Sequence, residues 1–136
     1  MLVASRQLLT TQDGAHVAKH YKELVVWQRA MDLVTEVYRA TAVFPDHEKF
    51  GLAAQLHRAA VSVPSNIAEG QGRLTVGEFK QFLGHARGSL FEVETQVMIA
   101  GNLGLISEEK RQNLHESIDD VGRLLNGLIR SLSTRK

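Results

Sequence analysis

The sequence predicts an all-α protein, an antiparallel up-down-up-down four-helix bundle. Three observations predict it. Apolar residues recur in steps of three and four along four segments. The connections between those segments are short enough to force neighbouring helices to run antiparallel. No strand alternation occurs after Tyr21. Steps that alternate three and four further imply crossing angles near 20°.

In the first segment Leu24, Trp27, Met31, Val34 and Tyr38 form the expected core row. It ends at Phe44-Pro45, with Asp46 placed to cap the second helix. The second segment carries Leu52, Leu56, Ala59 and Val63 and runs out at Gly70-Gln71-Gly72. Pro64 lies inside it. Proline cannot donate to the carbonyl four residues back and crowds it, a cost of about 3 kcal/mol in a helix interior. Ser62, Ser65 and Asn66 supply polar groups to offset that loss, so the second helix is expected to be continuous but kinked at Pro64.

Thr75 and Glu78 open the third segment as a capping box, with Leu74 and Phe79 spaced as a hydrophobic staple. Its core row is Phe79, Leu83, Ala86, Leu90, Val93, Val97 and Ala100, and Gly104 can take the left-handed conformation that ends it. Ser107 caps the fourth segment, where Glu108 and Glu109 favour the positive helix end. Leu114, Ile118, Val121, Leu125, Leu128 and Leu132 face its core.

The 136 residues suit one domain, read as a bundle over 21–136 preceded by a flexible arm over 1–20. With 43% apolar and 23% charged residues the chain is not disordered. The lack of cysteine excludes a disulfide scaffold, a thiol nucleophile and thiolate metal centres. The opening residues lack the pattern of a secretory signal and no stretch suits a membrane span, so the expected setting is cytoplasmic, with no membrane partner.

Two helices carry more apolar surface than one bundle needs. Val26, Ala30, Leu33, Val37 and Ala40 make a second row on the first, and Gly77, Gly84, Phe91 and Met98 recur every seven residues on the third, with Gly88 beside them. Such faces predict a homo-oligomer, with Val26, Leu33, Val37, Gly84, Gly88, Phe91 and Met98 at the interface.

A polar stripe runs between the second and third helices. Gln55, Arg58, Ser62, Ser65 and Glu69 share one flank, and His85, Ser89, Glu92 and Gln96 share another. Folding about Gly72-Arg73 brings Arg58 level with Glu92. The expectation is a structural network in which an Arg58–Glu92 pair is flanked by Gln55, Ser62 and Ser89. A catalytic reading is disfavoured because helix interiors offer no free N–H groups for an oxyanion site. The chain is expected not to be an enzyme.

No Glu-x-x-His pair of the di-iron kind occurs, and the histidines fall at no metal-ligand spacing, His16 and His20 in the arm excepted. Neither metal nor cofactor is expected. Gly70-x-Gly72 matches no nucleotide-binding loop.

The formal net charge is +1, which names no partner. Charge is nonetheless uneven. Residues 107–120 hold five acids, whereas Arg123, Arg130, Arg135 and Lys136 come after them with none. Compensation of the helix dipole accounts for that order. A basic rim for phosphates, with Arg73 and Arg87 added, is the sharper reading.

Tyr21 to Ala30, the stretch from Phe50 to Gly70 that contains Leu56-His57-Arg58-Ala59-Ala60-Val61-Ser62-Val63-Pro64-Ser65-Asn66, and Gly88-Ser89-Leu90-x-Glu92 together resemble the ribosomal RNA intervening-sequence proteins. The similarity spans about residues 21–132. His57 stands where that family usually has a second arginine. The resemblance implies a four-helix bundle that assembles as a homopentamer around a central channel. It also implies kinship with bundles encoded within inserts of large-subunit ribosomal RNA genes, or serving reverse transcriptases as nucleic-acid-binding accessories, and it carries no catalytic residues. The expected function is therefore a non-enzymatic oligomer that binds RNA or DNA through Arg123, Arg130, Arg135 and Lys136, with Arg73 and Arg87. The alternative is a protein-interaction scaffold that binds no nucleic acid.

Overall fold

Four helices succeed one another, α1 (Val25–Thr41), α2 (Leu52–Gln71), α3 (Val76–Asn102) and α4 (Glu108–Ser133). Single 3-10 turns at Tyr21–Glu23 and Asp46–Glu48 precede α1 and α2. The computed structural model describes residues 20–134. The arm expected over 1–20 falls, except for His20, outside the described residues, as do Arg135 and Lys136.

Each helix packs on two others in a ring, α1 against α2 and α4, and α3 against α2 and α4. Contacting pairs run in opposite senses along the chain. Ser62 meets Ser89 and Gly70 meets Phe79 and Phe82 across α2 and α3, while Arg87 meets Asn126 across α3 and α4. Across α1 and α4, Arg29 meets Asp120 and Glu36 meets Ser117. The arrangement is the antiparallel bundle that the spacing predicts.

Caps obey sequence logic in most places. Thr75 Oγ1 accepts from the Glu78 amide at 3.1 Å and Ser107 Oγ from the Lys110 amide at 3.1 Å. Gly104 has φ +72, the left-handed conformation a side chain disfavours. Two details differ. Leu74 is 98% exposed and staples nothing. Asp46 starts its own 3-10 turn, and the first amide of α2 is instead satisfied by Glu48 Oε1, which accepts from Leu52 at 3.2 Å.

α2 is continuous through Pro64, which is buried. Close by, Asn66 Nδ2 donates to the Ser62 carbonyl at 2.8 Å and to Ser62 Oγ at 2.9 Å. Side-chain polarity thus reinforces the helix beside the bond that proline cannot make.

The core of α1 requires a correction. Val26, Ala30, Leu33, Val37 and Ala40 are its buried face, while Trp27 and Val34 are half-buried and Met31 and Tyr38 are exposed. Val26, Leu33 and Val37 belong to the core of a single chain and are not available to another. Both rows have the same three-and-four period, so periodicity cannot choose between them. Side-chain size does: alanine and valine let α1 approach α2 and α4 closely, and the bulky Trp27, Met31 and Tyr38 sit outside that seam.

A close helix approach occurs at Gly70. A Cβ there would lie 2.7 Å from Phe82 Cβ and 3.1 Å from Phe79 Cδ1. Gly70→Ala is therefore expected to destabilise the protein by about 1–3 kcal/mol through overpacking. Gly77→Ala, where nothing lies within 4 Å, should instead stabilise it by up to about 1 kcal/mol through helix propensity. Chemical denaturation of the two variants reads the opposite signs.

Candidate functional site

The seam between α2 and α3 holds the predicted polar residues, but not in the predicted pairing. Ser62 Oγ and Ser89 Oγ share a hydrogen bond of 2.8 Å, with Asn66 completing a small, partly buried cluster. Arg58 and Glu92 are both exposed and make no ion pair or hydrogen bond among the described residues. The expected Arg58–Glu92 pair is corrected. The two lie at the same level, but each side chain emerges on the solvent side, where an ion pair would gain little against hydration. Gln55 is exposed as well, whereas Gln96 is buried with Oε1 unpartnered. Of the expected network, only Ser62 and Ser89 are joined.

His57 is a residue whose engagement sequence spacing does not show. Its ring stacks on Tyr38 with centroids 3.8 Å apart and planes 8° from parallel, and its Nε2 lies 2.7 Å from Thr41 Oγ1. Thr41 Oγ1 donates its one proton to the Tyr38 carbonyl at 3.1 Å. His57 Nε2 therefore carries the ring proton and donates to Thr41. Burial lowers the His57 pKa from 6.5. The position where the family usually has an arginine thus ties α2 to the end of α1.

The predicted basic residues are differently occupied. Arg123, expected to face no acid, pairs with Asp120 at 3.2 Å, and the same carboxylate holds Arg29 from α1 at 3.2 Å. Arg73 pairs with Glu69 at 3.0 Å and lies over the Phe82 ring. Arg87 donates to Asn126 Oδ1 at 3.2 Å, and Arg130 is exposed with no partner among the described residues. Side-chain partners of these arginines are mostly at the surface, where guanidinium groups keep donors facing solvent.

Antiparallel packing gathers them. The N-terminal ends of α1 and α3 and the C-terminal ends of α2 and α4 share one half of the bundle. There the seven bases Lys22, Arg29, Arg73, Lys80, Arg87, Arg123 and Arg130 stand against the five acids Glu23, Asp32, Glu69, Glu78 and Asp120. The other half carries Glu36, Asp46, Glu48, Glu92, Glu94, Glu108, Glu109, Glu116 and Asp119 against fewer bases. The near-zero net charge conceals an axial separation of charge.

Two apolar faces remain exposed. On α3, Phe91 and Met98 are 57% and 50% exposed, and a Cβ added at Gly84 or Gly88 meets nothing within 4 Å. Between α1 and α2, Tyr21, Trp27, Met31, Val34, Val61, Pro64, Ser65 and Ala68 line an open groove of about 320 Å³. The surplus on α1 is thus the Trp27–Met31 row and not the Val26–Val37 row.

A ring of four antiparallel helices with no strand among the described residues defines the protein as an all-α four-helix bundle. Residues 22–127 match the family described as 23S rRNA-intervening sequence protein, and the chain belongs to that family. No curated protein matches the chain. A crystal structure of a protein with unknown function from the S23 ribosomal protein family of Bacteroides thetaiotaomicron is similar to it, with a TM-score of 0.72 and 18% identity. The similarity covers 78% of this chain and 96% of that one and establishes the common fold. No helix among the described residues is long and apolar enough to cross a membrane.

His57 and Arg58 of α2 each give an expected outcome. Because the folded protein favours neutral His57, the stability this gives is complete above about pH 6.5 and is lost as pH falls through the depressed folded value. The Tm of the wild type should drop more between about pH 7.5 and about pH 5 than that of His57→Gln. Arg58→Ala strands no buried charge and should change stability by less than about 0.5 kcal/mol in urea titrations of the isolated bundle.

Proposed function

We propose that the protein is a non-enzymatic homo-oligomer that binds RNA or DNA through its basic half. The observation that carries this reading is the axial separation of charge, which presents Arg73, Arg87, Arg123 and Arg130 on one half of each chain. Arg135 and Lys136 come after α4 in sequence and add charge of the same sign. Repeating this half around an assembly multiplies the phosphate contacts available to one strand, and released counterions then drive binding. The 23S rRNA-intervening sequence family supports the reading by kinship.

Self-association is supported by the exposed Phe91 and Met98 and by the glycines beside them, which let a second helix approach. A homopentamer is the assembly that the family resemblance implies. The apolar groove at Trp27 and Met31 favours a second reading, in which the oligomer is a scaffold for a protein partner and binds no nucleic acid.

Titration with labelled single-stranded RNA and DNA at about 50 and about 200 mM salt separates these readings. The proposal expects affinity to fall steeply with salt, and Arg87→Ala or Arg130→Ala to reduce the salt slope by about 1 per phosphate contact removed. Absence of binding at the lower salt favours the scaffold. Phe91→Asp combined with Met98→Asp should yield a folded species of one-chain mass by light scattering. An unchanged mass would remove α3 from the interface.

A further inference from the structure

Among the described residues, one cluster of metal-ligating side chains is accounted for by neither the proposed function nor the sequence spacing. His115 on α4 lies between two carboxylates, Glu94 of α3 and Asp119 one turn further along α4. Its Nδ1 is 3.7 Å from Glu94 Oε2 and its Nε2 is 3.6 Å from Asp119 Oδ2. One ligand atom from each of the three side chains falls within 4.8 Å of the others. His115 and Glu94 are half-buried.

These separations are too long for hydrogen bonds. They are close to the edge of a tetrahedral coordination shell, in which bonds of about 2.0–2.1 Å leave neighbouring ligand atoms about 3.4 Å apart. A neutral imidazole has a single N–H, so it can donate to only one of two flanking carboxylates. The other contact sets a nitrogen lone pair against a carboxylate oxygen and is unfavourable without a cation between them. The nearby guanidinium groups of Arg111 and Arg123 are engaged by Glu108 and Asp120.

We propose that His115 Nε2 and Asp119 ligate a divalent transition-metal ion of the zinc class, while Nδ1–H faces Glu94 and closes from 3.7 Å to a hydrogen bond when the ion is bound. The i, i+4 spacing puts both ligands on one face of α4, and an imidazole–carboxylate set favours zinc, cobalt or nickel over magnesium or calcium. Glu94 orients the ring from the neighbouring helix, an outer carboxylate that fixes tautomer and ligand basicity. Water completes the shell. The ion would join the Glu94 turn of α3 to the first half of α4, within the acidic half of the bundle.

Calorimetric titration of the full chain with zinc chloride at about pH 7.5, where imidazole is largely neutral, tests the site. The expected result is saturable binding of one ion per chain, undisturbed by millimolar magnesium. His115→Ala should abolish it, and Glu94→Gln should weaken it about 10- to 100-fold. Asp119→Asn, at an exposed position that leaves the fold intact, should also weaken it by at least about tenfold. His16→Ala combined with His20→Ala should leave it unchanged, which separates this site from the histidines preceding α1. Absence of saturable zinc binding, or equal affinity in Asp119→Asn and the wild type, would overturn the proposal.

Discussion

The close approach of α2 to α3 at Gly70 is the constraint on which the rest of the bundle depends. With no side chain there, Phe79 and Phe82 lie against the α2 backbone. Two turns away along α2, Ser62 and Ser89 meet through their hydroxyls. A bulky contact and a polar one at fixed separation pin the register, because sliding either helix by one turn would drive a ring into backbone and strand two hydroxyls. α1 and α4 then close the ring on the surfaces this hairpin leaves apolar.

That register decides where charge goes. Once α2 and α3 are aligned antiparallel, Arg73 in the turn between them and Arg87 in the first half of α3 fall on the same half, and α4 brings Arg123 and Arg130 to join them. Acids early in α4 and late in α3 are carried to the opposite half. A chain with almost no net charge thereby acquires two unlike halves, and the protein's field reflects their arrangement more than their sum. The exposed apolar faces run along the sides of the bundle, Phe91 and Met98 on α3 and the Trp27–Met31 groove between α1 and α2, and that groove lies within the basic half itself.

Much of this is legible in the sequence. The four segments, the Thr75 and Ser107 caps and the terminating Gly104 can all be read from local chemistry, because capping and periodicity are local. The polar seam falls where expected at Ser62 and Ser89 because heptad-like steps fix which residues share a flank. What the sequence hides depends on orientation. Two rows on α1 have equal periodicity, and the choice of the buried one rests on how closely helices can approach. Arg58 and Glu92 do lie level with each other, yet level residues pair only when their side chains turn inward. The Glu94–His115–Asp119 cluster is hidden for a different reason. One member comes from another helix, and only the i, i+4 relation of His115 and Asp119 hints at it.

The proposed phosphate-binding half would be a product of folded register and not of overall composition. Ultraviolet cross-linking of a uridine-rich RNA to the assembled protein, with peptide mapping of the adducts, tests it most directly. The account predicts adducts confined to peptides from the C-terminal part of α2, the N-terminal part of α3 and the C-terminal part of α4. Adducts concentrated around Glu94 and Glu109, or spread evenly along the bundle, would contradict it.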